Sequence, residues 1–279
     1  MRALSLLAVA AVAVGLAGCG GSSSDPAKAV TTAAKTTMAQ ALVSDFTLHG
    51  SKLYGKVHAK ITGRGAFSFG PELGYERIDL PAESGKPTAR EFLDFLPATF
   101  LYTRSISTGP VLFNGKSWVS VTLAGAGSVH SLAPGFAYQA EALSPEFALD
   151  EIVWGAKSAK SLGSPIVNHV PMAKYLVSVD LDQAMSKATG AMKAAIGEEI
   201  TATGSHTTSI TVWVDGPGHV VQLTVPLPGS GLGSISMTLS GYGAKLPTTL
   251  PADSTILKIT GQTAAGGDLL RSTWIFPAS

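Results

Sequence analysis

Period-two alternation of apolar and polar residues recurs along this 279-residue chain and constrains its fold more than any other feature. Tyr175, Val177, Val179 and Leu181 alternate with Lys174, Leu176, Ser178 and Asp180, and Ile235, Met237 and Leu239 alternate with serines and Thr238. Successive side chains of a strand point to opposite faces, so each such run is a strand with one buried face and one wet face. Residues 53–61 show the same pattern, with Leu53, Gly55, Val57, Ala59 and Ile61 set against Lys52, Tyr54, Lys56, His58 and Lys60. Gly63-Arg64-Gly65 then reads as a turn into residues 66–69. Residues 75–80, 99–106, 165–168, 173–181, 209–215, 219–225, 234–240 and 255–260 read as further strands, with an optional last strand at 271–276. Asn114-Gly115, between Val111-Leu112-Phe113 and Ser117-Trp118-Val119, is a strong hairpin signal, because its turn needs positive φ at both central residues.

Helices interrupt the strands at three places. Asp25 is placed to cap a helix that has Pro26 at its first position, and Ala27, Val30, Ala34, Met38, Ala41 and Leu42 follow at helical spacing to about residue 43. Ser144-Pro145-Glu146 repeats the signature and opens a helix to about residue 160, with Phe147, Ala148, Ile152 and Ala156 toward the core. Residues 182–196 form the third, with Ala184, Met185, Ala188 and Met192 on one face. Glu198 and Glu199 would oppose the dipole at its C-terminus, so a loop is an equal reading there. The predicted class is α+β: a single strongly curved antiparallel sheet, a half-barrel, with about three helices on its concave side. Two separate domains are the less favoured division.

The first residues say where such a domain would work. Arg2 precedes an apolar run from Ala3 to Leu16 whose only polar side chain is Ser5, and Leu16-Ala17-Gly18-Cys19 follows. The run is shorter than the ~20 apolar residues of a membrane span and has the anatomy of a secretory signal. The four residues ending in Cys19 resemble the bacterial lipobox. That resemblance implies cleavage before Cys19, a thioether-linked diacylglycerol on its sulfur, and acyl chains such as palmitate holding the protein to the extracytoplasmic face of the cell membrane. The expected layout is a lipoprotein signal peptide over 1–18, a flexible linker with lipidated Cys19 over 19–24, a folded domain over 25–261 and a tail over 262–279.

Charge and cysteine usage exclude several functions. The chain has 20 basic and 19 acidic residues, and Arg2 is the only charge before Cys19, so the remainder is balanced. Nucleic-acid binding needs a clustered basic footprint, and a polybasic grip on anionic lipid needs the same. Cys19 is the only cysteine, so if it carries lipid no disulfide can form, and a thiolate metal site or cysteine nucleophile is not expected. The six histidines (His49, His58, His130, His169, His206 and His219) are never three or four residues apart, so no zinc site is expected. Gly229-Ser230-Gly231 lacks the spacing of a nucleophile elbow, and Gly63 and Gly65 are followed by Ser68 where a dinucleotide motif needs glycine. The carboxylates from Asp79 to Glu91, with Asp94, are interspersed with Lys86 and Arg90 and read as a solvated loop. The expectation is a protein without catalytic residues, metal or cofactor.

Residues 166–181 (IVNHVPMAKYLVSVDL), the strand Ile210-Thr211-Val212-Trp213-Val214-Asp215, residues 218–223 and residues 234–243 (SISMTLSGYG) occur in a recognisable order. With Gly63-Arg64-Gly65 and Asn114-Gly115-Lys116-Ser117-Trp118, they resemble the actinobacterial lipoproteins of the LppX/LprG type, relatives of the LolA/LolB lipoprotein carriers. The resemblance implies a half-open barrel around an apolar cavity, an acylated lipid or glycolipid as ligand, and an envelope lipid-export partner. Residues 124–142 and the tail beyond Gly261 have no counterpart in that pattern. The candidate cavity lining is Val57, Ile61, Phe67, Phe69, Trp118, Phe147, Ile152, Val177, Val179, Val212, Met237 and Leu239, with the helix from Ser144 and its flanking loops as lid. The same apolar faces would equally fill a closed core, in which case the protein is an envelope scaffold or interaction lipoprotein. Trp118, Trp154 and Trp213 either stand at a cavity rim or pack in the ordinary way.

Overall fold

The computed structural model describes residues 25–49, 51–53, 56–58, 60–69, 73–80, 89–96, 99–106, 108–112, 114–122, 141–227, 233–246 and 251–259. In chain order these form α1 (Pro26–Met38), β1 (Leu42–His49), β2 (Ser51–Leu53), β3 (Lys56–His58), β4 (Ile61–Ser68), β5 (Leu73–Leu80), β6 (Ala89–Leu96), β7 (Thr99–Ile106), β8 (Gly109–Pro110) and β9 (Trp118–Thr122). Then come α2 (Pro145–Gly155), β10 (Ala156–Ser161), β11 (Ile166–Val167), β12 (Val170–Pro171), β13 (Ala173–Asp180), α3 (Leu181–Lys187), α4 (Gly190–Thr203), β14 (Thr207–Val214), β15 (Val220–Pro226), β16 (Ser234–Ser240) and β17 (Ile256–Ile259).

Thirteen strands make one open sheet in the order β10-β13-β14-β15-β16-β1-β4-β5-β6-β7-β9-β17, with β8 on β7. The class is α+β, as the sequence predicts. β1 is the hinge of the topology: it pairs antiparallel with β16 on one side and β4 on the other, joining the late strands to the early ones. Every pair is antiparallel except β17 with β9. That parallel edge departs from the wholly antiparallel expectation, because the chain leaves β16 and returns to the far end of the sheet. The two end strands do not pair with each other.

Five sequence expectations need correcting. Residues 53–61 are not one strand: β2 and β3 pair only with each other, placing Val57 opposite Lys52, and Ile61 opens the separate strand β4. Val57 therefore stands on a small hairpin off the main sheet, and its side chain lies outside the described residues. Gly63-Arg64-Gly65 is the interior of β4, not a turn. Asp79 and Arg90 belong to paired strands, where they face each other in register and Arg90 Nε lies 2.8 Å from Asp79 Oδ1 on the wet face. The helix opened by Ser144 stops at Gly155, five residues early, because Gly155 is pressed against β13. A Cβ there would lie 2.5 Å from the Asp180 carbonyl oxygen. The third predicted helix is broken at Ala188-Thr189 into α3 and α4, and Glu198 and Glu199 lie within α4.

Local signals act as anticipated at the helix starts. Asp25 Oδ1 accepts the Ala27 N–H at 3.0 Å, and Ser144 Oγ accepts the Glu146 N–H. Asn114 (φ 50) and Gly115 (φ 78) supply the two positive φ values of the Asn-Gly turn, but the predicted hairpin strands do not form around it: residues 111–112 take no strand, and β9 pairs with β7 and β17. α1 lies on the late half of the sheet, against β10, β13 and β15, and meets α2. Its small residues Ala27, Val30, Ala33 and Ala34 are the buried ones, which allows close approach.

Thr37 fastens that helix. Its hydroxyl donates to the Ala33 carbonyl and accepts the Val220 N–H, each at 2.8 Å, while Tyr242 donates to the Val220 carbonyl at 2.7 Å. The Val220 N–H is thus satisfied through α1. Thr37→Val keeps the shape and leaves that buried N–H orphaned, which should cost about 1–3 kcal/mol in chemical denaturation. Thr37→Ser should retain most of the stability, and an equal loss in both variants would refute the hydrogen bond as the cause.

Candidate functional site

Register pairing lays out the inner face of the sheet row by row. Leu223 opposes Met237, Met237 opposes Phe46, Phe46 opposes Gly63, and Gly63 opposes Ile78. The next row runs Leu239, Ser44, Gly65, Glu76. Beyond it lie Leu42, Phe67 and Gly74. The glycines are spaces for rings from neighbouring positions. A Cβ on Gly63 would collide with the Phe46 ring, and one on Gly74 would lie 2.6 Å from Phe67 Cδ1. Strand glycines often mark such close approaches.

The middle row is polar within apolar surroundings. Ser44 and Glu76 are both fully buried, at 0% exposure, and among the described residues neither Ser44 Oγ nor the two Glu76 carboxyl oxygens has a hydrogen-bond partner. Burial, and secondarily the charge of Glu141, pushes the Glu76 carboxyl well above the ordinary carboxylate range. Such a group is held neutral rather than ionised in an apolar interior.

A second buried acid pair joins the helices. Glu151 of α2 and Glu199 of α4 are almost wholly enclosed. Burial raises Glu151 most, and the facing Glu199 and Asp150 raise it further. Burial raises Glu199 too, while Glu151 and Thr208 oppose the shift as hydrogen-bonding neighbours. Neither Glu151 oxygen has a hydrogen-bond partner of standard geometry among the described residues, and burial together with the facing carboxyl favours the neutral form of Glu151. α2 is buried on nearly every side, with Pro145, Phe147, Ala148, Leu149, Asp150, Glu151, Ile152 and Gly155 all enclosed. It contacts α1, α3 and strands of the late half, including β13. For the helix itself this corrects the expectation of a lid: α2 is an internal plug, since a lid keeps one face in water, while residues 123–140 on its N-terminal flank lie outside the described residues.

Solved structures with a similar arrangement include two mycobacterial lipoproteins. LprF from Mycobacterium bovis is 11% identical, with 81% of this chain and 96% of that chain covered and a TM-score of 0.44. LppX from Mycobacterium tuberculosis is 13% identical, with 81% and 100% covered and a TM-score of 0.38. A LolA superfamily protein from Nitrosomonas europaea is 7% identical, with 81% and 96% covered and a TM-score of 0.31. No family model matches the chain, and no curated protein does. At these identities and scores the likeness concerns the layout of sheet and helices, and the roles of residues rest on the chain itself.

Of the candidate lining, Ile61, Phe67, Phe69, Phe147, Ile152, Val177, Val179, Val212, Met237 and Leu239 fall in one continuous cluster of buried side chains. Trp118 opens β9 and is half-buried. Trp213 is not at a rim: it alternates with Val212 onto the outer face, where Lys174 Nζ sits 4.6 Å from its ring centroid. Trp154 packs against the buried cluster. His206 meets Asp182 at 2.9 Å in an exposed pair, and no group of residues suited to a metal ion occurs among the described residues. Cys19, the linker, residues 123–140 and the tail lie outside the described residues.

Sequence reasoning missed Ser44, Glu76, Glu151 and Glu199. For Glu76 a signal existed. In residues 75–80, Glu76, Ile78 and Leu80 alternate with Tyr75, Arg77 and Asp79, which already puts the glutamate on the apolar side. Nothing local marks Glu151 and Glu199, whose meeting depends on how α2 and α4 dock.

Proposed function

We propose that this protein is an extracytoplasmic, membrane-anchored lipoprotein that binds acylated lipid against the inner face of its open sheet and passes it on without covalent chemistry. The observation that carries this reading is the reach of the apolar inner face beyond its helices. α1, α2 and α3 make their main sheet contacts with β10 and β13–β15. The inner face nevertheless continues across the early strands through Ile61, Phe67, Ile78, Leu80, Ala89 and Val119. An acyl chain laid along such a surface gains about 0.8 kcal/mol per buried CH₂.

Native mass spectrometry of the purified full-length protein, released from detergent in the gas phase, tests this. A bound species of acyl-lipid mass is expected, and a protein found only without ligand would defeat the carrier reading. The continuity of the buried cluster favours a second reading, a closed scaffold whose outer surface meets an envelope partner. A ligand-free mass together with a retained envelope partner would support it.

The anchor is part of the proposal. A single acyl chain holds a protein only marginally, so attachment rests on the two or three chains of a lipidated Cys19. Cys19→Ala should move the protein from the membrane to the soluble extracytoplasmic fraction with its Tm unchanged. Membrane retention at the wild-type level would count against lipidation as the tether.

A further inference from the structure

We propose that Ser44 and Glu76, set on either side of Gly65, form a polar subsite on the inner face that takes an uncharged hydrogen-bonding group, a hydroxyl above all, of an acylated ligand. The inference rests on the lipid-binding reading and adds the chemistry of the group recognised.

The geometry is that of a built site. Ser44, Gly65 and Glu76 lie in register on β1, β4 and β5, so two strand spacings, about 10 Å, separate the serine from the glutamate. The missing side chain of Gly65 lets the neighbouring side chains close over the backbone between them. Its Cβ position is 2.9 Å from Glu76 Cγ and 2.8 Å from Phe67 Cε2, so the glutamate stem and the Phe67 ring lean over the glycine. Phe46 fills the row on one side, over Gly63, and Phe67 bounds the other, over Gly74. The result is a polar pair walled by two aromatic rings.

Three buried polar atoms in one row, without partners among the described residues, weaken the fold if they serve nothing, since each is stripped of water with no bond in its place. Buried polar groups of native proteins are almost always satisfied, and the exceptions call for a functional account. A neutral carboxyl offers one donor and one acceptor, and a serine hydroxyl offers both. That set complements a hydroxyl or a glycerol or sugar diol. A phosphate would meet the repulsion of Glu141, and an ammonium would find no ionised partner in a carboxyl kept neutral by burial.

The test uses full-length protein and three probes with chains of the same length, 1-monopalmitoylglycerol, methyl palmitate and the alkyl amine hexadecylamine, compared by native mass-spectrometric competition. The wild type should prefer the monoacylglycerol to the methyl ester about tenfold, the yield of one or two hydrogen bonds. Glu76→Leu should abolish that preference while raising the Tm, and Glu76→Gln, whose amide is also neutral donor and acceptor, should keep it. Ser44→Ala should weaken it, which keeps the test open if a Glu76 variant fails to fold. Equal binding of monoacylglycerol and ester by the wild type, an unchanged preference in Glu76→Leu, or a preference for the amine overturns the subsite and leaves the lipid-binding reading standing. Binding of none of the three overturns both.

Discussion

Gly63→Val is expected to destabilise the protein by about 3 kcal/mol or more, a large share of the roughly 5–15 kcal/mol that separates folded from unfolded in a typical domain. The reason is that the space over Gly63 is already occupied. A Cβ there would overlap the Phe46 ring and lie 2.5 Å from the Arg77 backbone oxygen across the β4–β5 pair. The ring can move at the expense of its own packing, but the carbonyl belongs to the ladder and cannot move without breaking it. Chemical denaturation would show the lowered midpoint. Gly216→Ala, at a turn position where the added methyl meets nothing within 4 Å, should stay within about 0.5 kcal/mol of wild type. A double-mutant cycle sharpens the claim. Gly63→Ala combined with Phe46→Leu should cost less than the sum of the two single changes, because the smaller side chain removes one of the two collisions. Strict additivity would show that the ring does not depend on the glycine.

The second large effect concerns pH. Glu76, Glu151 and Glu199 all have folded-state pKa values raised above the ordinary 4.5, chiefly by burial. Between that ordinary value and the raised one, the native state holds protons that the unfolded chain has released. Stability therefore falls as pH rises through this window, by up to about 1.4 kcal/mol per pH unit for each group, and levels off above the raised values. The full contribution is present at and below pH 4.5. Tm is expected to drop between pH 5 and pH 8, opposite to the trend set by salt-bridged carboxylates. Glu151→Gln cannot ionise, so it should match wild type near pH 5 and exceed it near pH 8. Asp150 and Glu199, the acids facing Glu151, remain in that variant, and Glu199 should retain a smaller slope of its own. A Tm that is flat or rising over this range in the wild type would show that these carboxyls are not held protonated by the fold.

These two results turn on residues that a sequence represents poorly. Gly63 and Gly65 read as a turn because a glycine pair is a turn signal and also a sign of close approach. Which meaning applies depends on Phe46, Phe67 and Glu76, which reach β4 only through strand pairing. Residues 53–61 misled in another way. Their alternation is that of a strand, but the chain folds back between Leu53 and Lys56, so β2 and β3 pair with each other. The end of α2 at Gly155 was equally hidden, since it is imposed by the backbone of β13 and not by a local stop signal.

Short-range chemistry, by contrast, was legible. Asp25 and Ser144 cap their helices as their types and positions predict, Asn114-Gly115 makes its turn, and residues 173–180 and 234–240 present Val177, Val179, Ile235, Met237 and Leu239 inward. These features could be read from short windows because side-chain direction in a strand and capping at a helix start are settled within a few residues. Cys19 as the expected anchor was read from such a window too. Long-range pairing alone sets that β1 joins β16 to β4, that β17 lies parallel to β9, and that Glu151 meets Glu199. It alone decided, too, that Ser44 and Glu76 share a row across Gly65. Each of these contacts follows from which strand edges and helix faces pair, a choice made by burial summed over the whole sheet, and no window of neighbouring residues contains that sum.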